Sequence, residues 1–229
     1  MQEQSATRVN MPVAVYIHVP FCRAKCAYCD FNSYPNQGHL HTAYTAAICT
    51  EGQRHWQEHP ASIGTVYLGG GTPTVFEVEQ LGKILAACAP RELWTDGVEV
   101  TVEANPGTVD AGSLAGLREL GINRLSLGVQ SLDDVMLRRL GRVHTADEAR
   151  AALALARDTG FDNISLDFIY GLAGQRLADW RRTLSEALRL GPEHLSLYAL
   201  SVEEGTPLAT WVERGQTKLP AEDEVADMY

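Results

Sequence analysis

A helical stretch, a glycine and a short apolar run follow one another three times in this chain, at Leu120-Gly121-Ile122, Thr159-Gly160-Phe161 and Leu190-Gly191-Pro192. Helices that stop at glycine and feed directly into apolar strands are the pattern of β-α repetition, which builds a parallel sheet. Strands are expected at Val13–Val19, Thr65–Leu68, Val98–Glu103, Arg124–Val129, Asn163–Phe168 and His194–Leu200. Helices are expected between them, at about Thr42–Gln57, Val78–Ala87, Ala111–Leu120, Ala146–Asp158 and Ala178–Leu190, where apolar residues recur at three- and four-residue intervals (Leu114, Leu117, Leu120; Leu184, Leu188). Six strands in this rhythm suit either a partial barrel or a doubly wound sheet.

The 229 residues suffice for one sizeable hydrophobic core. With no Pro/Gly/Ser linker to divide it, residues 1–229 read as a single domain with a flexible stretch at 1–12. The last ten residues, Pro220 to Tyr229, read as the acidic opening turns of a helix without a stop signal. The expectation is therefore a C-terminally truncated piece of a longer polypeptide.

Charge and hydropathy narrow the function. Nineteen basic against 29 acidic residues give a net charge of −10. That balance argues against nucleic acid as partner, since phosphate binding draws on clustered cations. No apolar run is long enough to span a bilayer. Met1 to Asn10 is polar and lacks the apolar core of a signal peptide, so a cytoplasmic location is expected.

Three of the five cysteines are clustered as C-x3-C-x2-C at Cys22, Cys26 and Cys29. In a reducing compartment such a cluster reads as a metal site, not as a disulfide framework. Three thiolates can hold three irons of a [4Fe–4S] cube and leave the fourth open to a substrate or cofactor, whereas clusters used only for structure or electron transfer normally have four protein ligands. A Cys3His zinc site is the competing reading, although structural zinc usually gathers its ligands in two pairs. His18 is a candidate fourth ligand or a hydrogen-bonded strand histidine; His39, His41, His55 and His59 read as surface residues. Cys49 and Cys88 lie in helical stretches and read as small buried hydrophobes.

The other unusual residues fall at strand ends, where α/β proteins bind ligands. The first strand runs through Pro20 into the cysteine loop. The second ends in Gly69-Gly70-Gly71-Thr72-Pro73, the third in Glu103-Ala104-Asn105-Pro106, and the fourth in Gln130; Asp167 lies near the end of the fifth. The triple glycine is either a tight turn or a place where a ligand approaches backbone unobstructed by a Cβ. Glu103 and Asp167, when ionised, suit sugar hydroxyls. Arg142 is either a surface arginine or a bidentate holder of a carboxylate.

Six ordered blocks carry a family resemblance: Tyr16 to Cys22, Gly69 to Thr74, Glu103 to Pro106, Ser126 to Ser131, Leu140 to Arg142 and Asp167 to Leu172. With the cysteine motif they resemble the radical S-adenosylmethionine (SAM) superfamily, and within it the oxygen-independent coproporphyrinogen III oxidase-like family. The resemblance implies a partial (β/α)6 TIM-like barrel. It implies a [4Fe–4S] cluster on Cys22, Cys26 and Cys29, and a SAM site lined by Tyr16, Gly70, Gly71, Thr72, Glu103, Gln130, Arg142 and Asp167. In such a site glycine-strand carbonyls face the SAM ammonium, Arg142 its carboxylate and Glu103 its ribose. An electron from a flavodoxin- or ferredoxin-type donor would drive cleavage of SAM to a 5′-deoxyadenosyl radical.

Two departures choose a branch. The decarboxylating oxidase carries another cysteine two residues after the third, where this chain has Phe31, and it has a longer N-terminal segment than the 21 residues preceding Cys22. Both favour the haem-chaperone branch, similar in its Cys29-Asp30-Phe31-Asn32-Ser33 run. That branch implies haem as cargo and haem-acceptor proteins as partners, with membranes reached only through acceptors. The alternative is the oxidase of porphyrin biosynthesis, and whether the chain is an enzyme stays open. The family's downstream His-Asn-x-x-Tyr-Trp motif does not occur in this sequence.

Overall fold

The computed structural model describes residues 11–229. Most of the expected flexible stretch at 1–12 lies outside the described residues. The elements, in chain order, are β1 (Val13–Val19), β2 (Phe21–Cys22), β3 (Tyr34–Pro35), α1 (His41–Glu58), β4 (Ile63–Gly70), α2 (Val78–Cys88), β5 (Trp94–Ala104), α3 (Ala111–Glu119), β6 (Arg124–Gln130), α4 (Asp134–Leu140), α5 (Ala146–Asp158), β7 (Ile164–Tyr170), α6 (Leu177–Arg189), β8 (His194–Ala199), α7 (Pro207–Glu213) and α8 (Glu222–Met228).

Six strands form one sheet in the order β1-β4-β5-β6-β7-β8, all neighbours parallel. Strand order follows chain order throughout. A doubly wound sheet reverses order at a switch point, so this winding is that of an open (β/α)6 barrel, with β1 and β8 at its edges. The three glycines of the repeating unit, Gly121, Gly160 and Gly191, have φ of +84°, +89° and +66°, the left-handed conformation in which helices end.

Alternation decides what each face does. One side of the strands from β1 to β7 in the sheet is apolar: Ile17 and Val19, Val66 and Leu68, Val100 and Val102, Leu125 and Leu127, Leu166 and Phe168 are all at most 3% exposed. They join Leu81, Ile84, Leu114, Leu117, Leu153 and Trp180 of the helices in one core. Burial of this kind contributes about 25 cal/mol per Å² of apolar surface and outweighs local preferences. The intervening residues, including Tyr16, Tyr67, Thr101, Glu103, Ser126, Ser165, Asp167 and Ser196, are polar and line the opposite, concave face. Pairing register places Glu103 beside Ser126, Ser126 beside Ser165, and Asp167 beside Ser196.

Four elements were absent from the sequence reading: β2, β3, α4 and α7. Each is short. α4 has seven residues, begins where Asp133 accepts from the Val135 N–H at 2.7 Å, and buries Met136, Leu137 and Leu140. β5 starts four residues earlier than expected, because Trp94 pairs with Ile63 across a register shift. His41 also departs from its expected surface place. Its ring stacks on Phe76 with centroids 4.4 Å apart and meets Phe21 at 4.8 Å, filling an aromatic cluster beneath the cysteine loop.

His144 ties the α4–α5 connection to the end of β6. It is 4% exposed, its Nε2–H donates to Val129 O at 3.1 Å, and its Nδ1 has no partner among the described residues. Burial, reinforced by the Arg142 charge, lowers its pKa to about 4. An unfolded histidine takes a proton near pH 6.5 while the folded one resists until about 4, so acid favours unfolding in that window. Stability to urea is therefore expected to fall between pH 6.5 and 4, and His144→Gln to flatten that slope. An unchanged slope in the variant would assign the acid sensitivity elsewhere.

Candidate functional site

The cysteine loop is closed at its base and clamped from three sides. β2 and β3 form a parallel ladder around it, with Tyr34 N–H donating to Pro20 O at 2.8 Å. Inside the loop, Cys29 N–H donates to Cys26 O at 3.2 Å, and Lys25 Nζ donates to Phe31 O at 3.0 Å. Ala27 sits between two of the elements the sequence reading missed. Its N–H donates to Leu140 O at the end of α4 (3.1 Å), and its carbonyl accepts from Leu208 N–H in α7 (2.9 Å).

The glycine end of β4 supplies the third clamp. Gly71 N–H donates to Val19 O at 2.7 Å and Thr72 N–H to Phe21 O at 2.8 Å. These bonds carry the β1–β4 ladder past the sheet and into the cysteine loop. A Cβ at Gly71 would stand 2.5 Å from Phe21 O, so the approach requires glycine.

Above the strand ends lies a cavity of about 350 Å³. That is at the lower end of the volume range of small-molecule sites. Cys22, Cys26 and Cys29 line one side, and Gly70, Gly71, Thr72, Glu103, Gln130, Arg142 and Asp167 line the rest. All three predicted cysteines and seven of the eight residues predicted for the SAM site therefore meet in one place. Tyr16 does not line it. Its ring stacks on Tyr67 at 6.1 Å and its hydroxyl lies 3.1 Å from His18 Nδ1, one layer below on the concave face. The other His18 ring nitrogen lies 2.9 Å from Asn32 O, so His18 is a hydrogen-bonded strand histidine.

The two carboxylates are held firmly. Glu103 accepts from Tyr67 Oη at 2.7 Å and from Gly70 N–H at 3.0 Å. Burial pushes its carboxyl above the usual range, against those two hydrogen bonds, which favour ionisation. Asp167 accepts from Ser126 Oγ at 2.9 Å and from Ser165 Oγ at 3.3 Å. Gln130 closes β6 at a bulge with φ of +65°, a conformation uncommon outside glycine and a device that re-aims side chains beside sites.

Arg142 differs from the bidentate role expected of it. Its Nη2 donates to Asn105 Oδ1 and, at 2.6 Å, to Gly128 O, while Nη1 donates to Cys26 Sγ at 3.5 Å. Both terminal nitrogens are thus engaged, and only the buried Nε lacks a partner among the described residues. Arg142 is a strut between β5, β6 and the cysteine loop, with one N–H on Nε and one on Nη1 left over. Asn105, for which the sequence suggests no role, is its main support. Its place between a strand end and Pro106 was the available signal.

Two of the three cysteine sulfurs receive a side-chain hydrogen bond: Thr72 Oγ1 donates to Cys22 at 3.6 Å and Arg142 Nη1 to Cys26 at 3.5 Å. Sulfurs that face a cavity, two of them supplied with donors, fit a thiolate-bound cluster, and the Arg142 guanidinium charge beside Cys26 fits an anionic group. Among the described residues no three His, Cys, Asp or Glu side chains converge on a single metal ion. A cube asks for a wider spacing, because each thiolate binds a different iron.

Comparison with known proteins agrees with this geometry. Residues 16–187 match the family model described as the radical SAM superfamily. The chain belongs to that superfamily, whose members carry a [4Fe–4S] cluster and SAM. It is 40% identical over 228 residues to a protein of Synechocystis named heme chaperone HemW, covering 96% of this chain and 54% of that one. It is 37% identical over 224 residues to the Haemophilus influenzae protein of the same name, covering 95% and 57%. A Bos taurus protein named radical S-adenosyl methionine domain-containing protein 1, mitochondrial, is 37% identical over 227 residues, 99% of this chain and 51% of that one. Among solved structures, the Escherichia coli coproporphyrinogen III oxidase HemN superposes with a TM-score of 0.81 at 25% identity, over 95% of this chain and 50% of that one. The chain spans about half the length of the relatives it matches.

The clamp gives a direct test. Gly71→Ala forces a methyl onto the Phe21 carbonyl and is expected to cost about 1–3 kcal/mol, as overpacking does. Gly107→Ala, whose Cβ would meet nothing within 4 Å, is the control. A fall in the urea midpoint for Gly71→Ala alone supports the clamp; equal midpoints refute it.

Proposed function

We propose that residues 1–229 form the cluster- and SAM-binding core of a haem chaperone of the HemW kind, which takes haem as cargo and passes it to haem-requiring acceptor proteins. One observation carries the reading: three thiols, the glycine end of β4 and two carboxylates share one cavity at the strand ends. The relatives' names supply the cargo, and Phe31, standing where the decarboxylating oxidase has a further cysteine, favours the chaperone over that oxidase.

In this reading Cys22, Cys26 and Cys29 each ligate one iron. Glu103 and Asp167 accept hydrogen bonds from ribose hydroxyls, Gly70 and Gly71 present backbone to the ligand, and Gln130 and Thr72 fill its sides. Arg142 holds the loop and sets its positive charge beside an anionic group. When bound, the reduced cluster and SAM supply reductive carbon–sulfur cleavage, the chemistry the side chains themselves lack. The protein's part is to fix the loop, orient the two groups and exclude water from between them. Tyr67 keeps its proton, because burial and then the Glu103 charge push its pKa up, so it stays a donor to Glu103. The electron would come from a flavodoxin- or ferredoxin-type protein in the cytoplasm, and membranes would be met only through acceptors. No helix among the described residues is long and apolar enough to cross one.

Anaerobic reconstitution with iron and sulfide, followed by EPR of the reduced protein, tests the site. A [4Fe–4S]⁺ signal that shifts on adding SAM is the expected outcome; a signal indifferent to SAM refutes an open iron. Incubation with coproporphyrinogen III, SAM and a reductant separates the two branches. No protoporphyrinogen is expected, and its formation would establish the oxidase instead.

A further inference from the structure

One hydrogen-bonded chain crosses the site from cysteine to cysteine. Arg142 Nη1 donates to Cys26 Sγ and Nη2 to Asn105 Oδ1; Asn105 Nδ2 donates to Thr72 Oγ1 at 2.9 Å; Thr72 Oγ1 donates to Cys22 Sγ at 3.6 Å. Its direction is fixed by chemistry. A guanidinium has donors only, so the amide oxygen of Asn105 must face Arg142 and its NH2 must face Thr72. The amide N–H occupies an acceptor position on the threonine oxygen, and the hydroxyl proton is left to point at Cys22. Thr72 is 2% exposed, so no bulk water competes for that proton. Asn105 is itself held, its backbone N–H donating to Thr108 Oγ1 at 3.1 Å.

We propose that Asn105 is a positioning residue that sets the hydrogen bonds to two cluster ligands at once, aiming the Thr72 hydroxyl at Cys22 and the Arg142 guanidinium at Cys26, and so raises the reduction potential of the cluster. Hydrogen bonds to ligand sulfurs stabilise the reduced, more negative cluster. Neither Asn105 nor its coupling function follows from the cysteine motif. The inference rests on the cluster reading above.

The experiment is an EPR-monitored redox titration of the reconstituted protein, with iron content read in parallel. Thr72→Val removes the hydroxyl at nearly constant shape and is expected to move the midpoint to more negative potential. Thr72→Ser keeps the hydroxyl and is expected to hold the wild-type midpoint. Asn105→Asp keeps the acceptor for Arg142 but turns the donor facing Thr72 into a second acceptor, which draws the hydroxyl proton away from Cys22. In the Asn105→Asp background the further change Thr72→Val is therefore expected to move nothing; the added charge cancels in that comparison.

An equal Thr72→Val shift in both backgrounds would overturn the role of Asn105. Equal midpoints for Thr72→Val and Thr72→Ser would overturn the hydrogen bond itself, and that pair decides the matter if Asn105→Asp fails to retain iron. Absence of any cluster in the parent protein would instead defeat the reading on which the inference rests.

Discussion

Two backbone hydrogen bonds, from Gly71 N–H to Val19 O and from Thr72 N–H to Phe21 O, join the sheet to the cysteine loop. They are ordinary ladder bonds made one and two residues beyond the end of β4. Because β1 turns into the loop at Pro20, β4 must follow it, and only glycine can do so, since a Cβ there would stand 2.5 Å from the Phe21 carbonyl oxygen. The position of every thiol, of the Thr72 hydroxyl and of the cavity follows from that extension. The aromatic cluster of Phe21, His41, Tyr44 and Phe76 supports it from below, with ring centroids 4.4 to 6.3 Å apart.

The remaining contacts distribute the loop's constraint over distant parts of the chain. Arg142 reaches it from beyond the end of α4 and Leu208 from α7, while Asn105, just after β5, bears on it through Arg142 and Thr72. A loop this rich in polar backbone keeps one geometry only when such partners are supplied from rigid elements. Asn105 and Arg142 are worth more as struts than as solitary ligand contacts, since each joins two elements that packing alone leaves apart.

Much of this was legible in the chain. β1 and α5 lie where periodicity and turn residues placed them; the thrice-repeated helix–glycine–strand unit announced a parallel sheet, while its sequential order was implied by the family resemblance alone. The cysteines and seven of the eight other site residues meet in one cavity because strand ends share one rim. The failures have physical causes. β2, β3, α4 and α7 are too short for a period to register, and they are formed by what they touch. Tyr16, named for the ligand site by the resemblance, stands outside the cavity lining, because strand alternation tells which face a residue takes, not its height on that face. For Arg142 the alternatives stayed open because a sequence cannot show that Asn105 and Gly128 occupy its Nη2 and Cys26 its Nη1. Asn105 itself has no periodic or compositional signature.

The sheet's two faces divide the protein's burdens. Its outer face, from Ile17 across to Phe168, holds the helices through shape and apolar area, while the inner face contributes little such area and much of the polarity. Mutational damage should sort accordingly. Truncations on the outer side lower the amount of folded protein, whereas truncations on the inner side leave its abundance intact and alter what it binds. Selection for stability and selection for chemistry thus act on alternate residues of the same strands, and a lineage can revise one without first repairing the other.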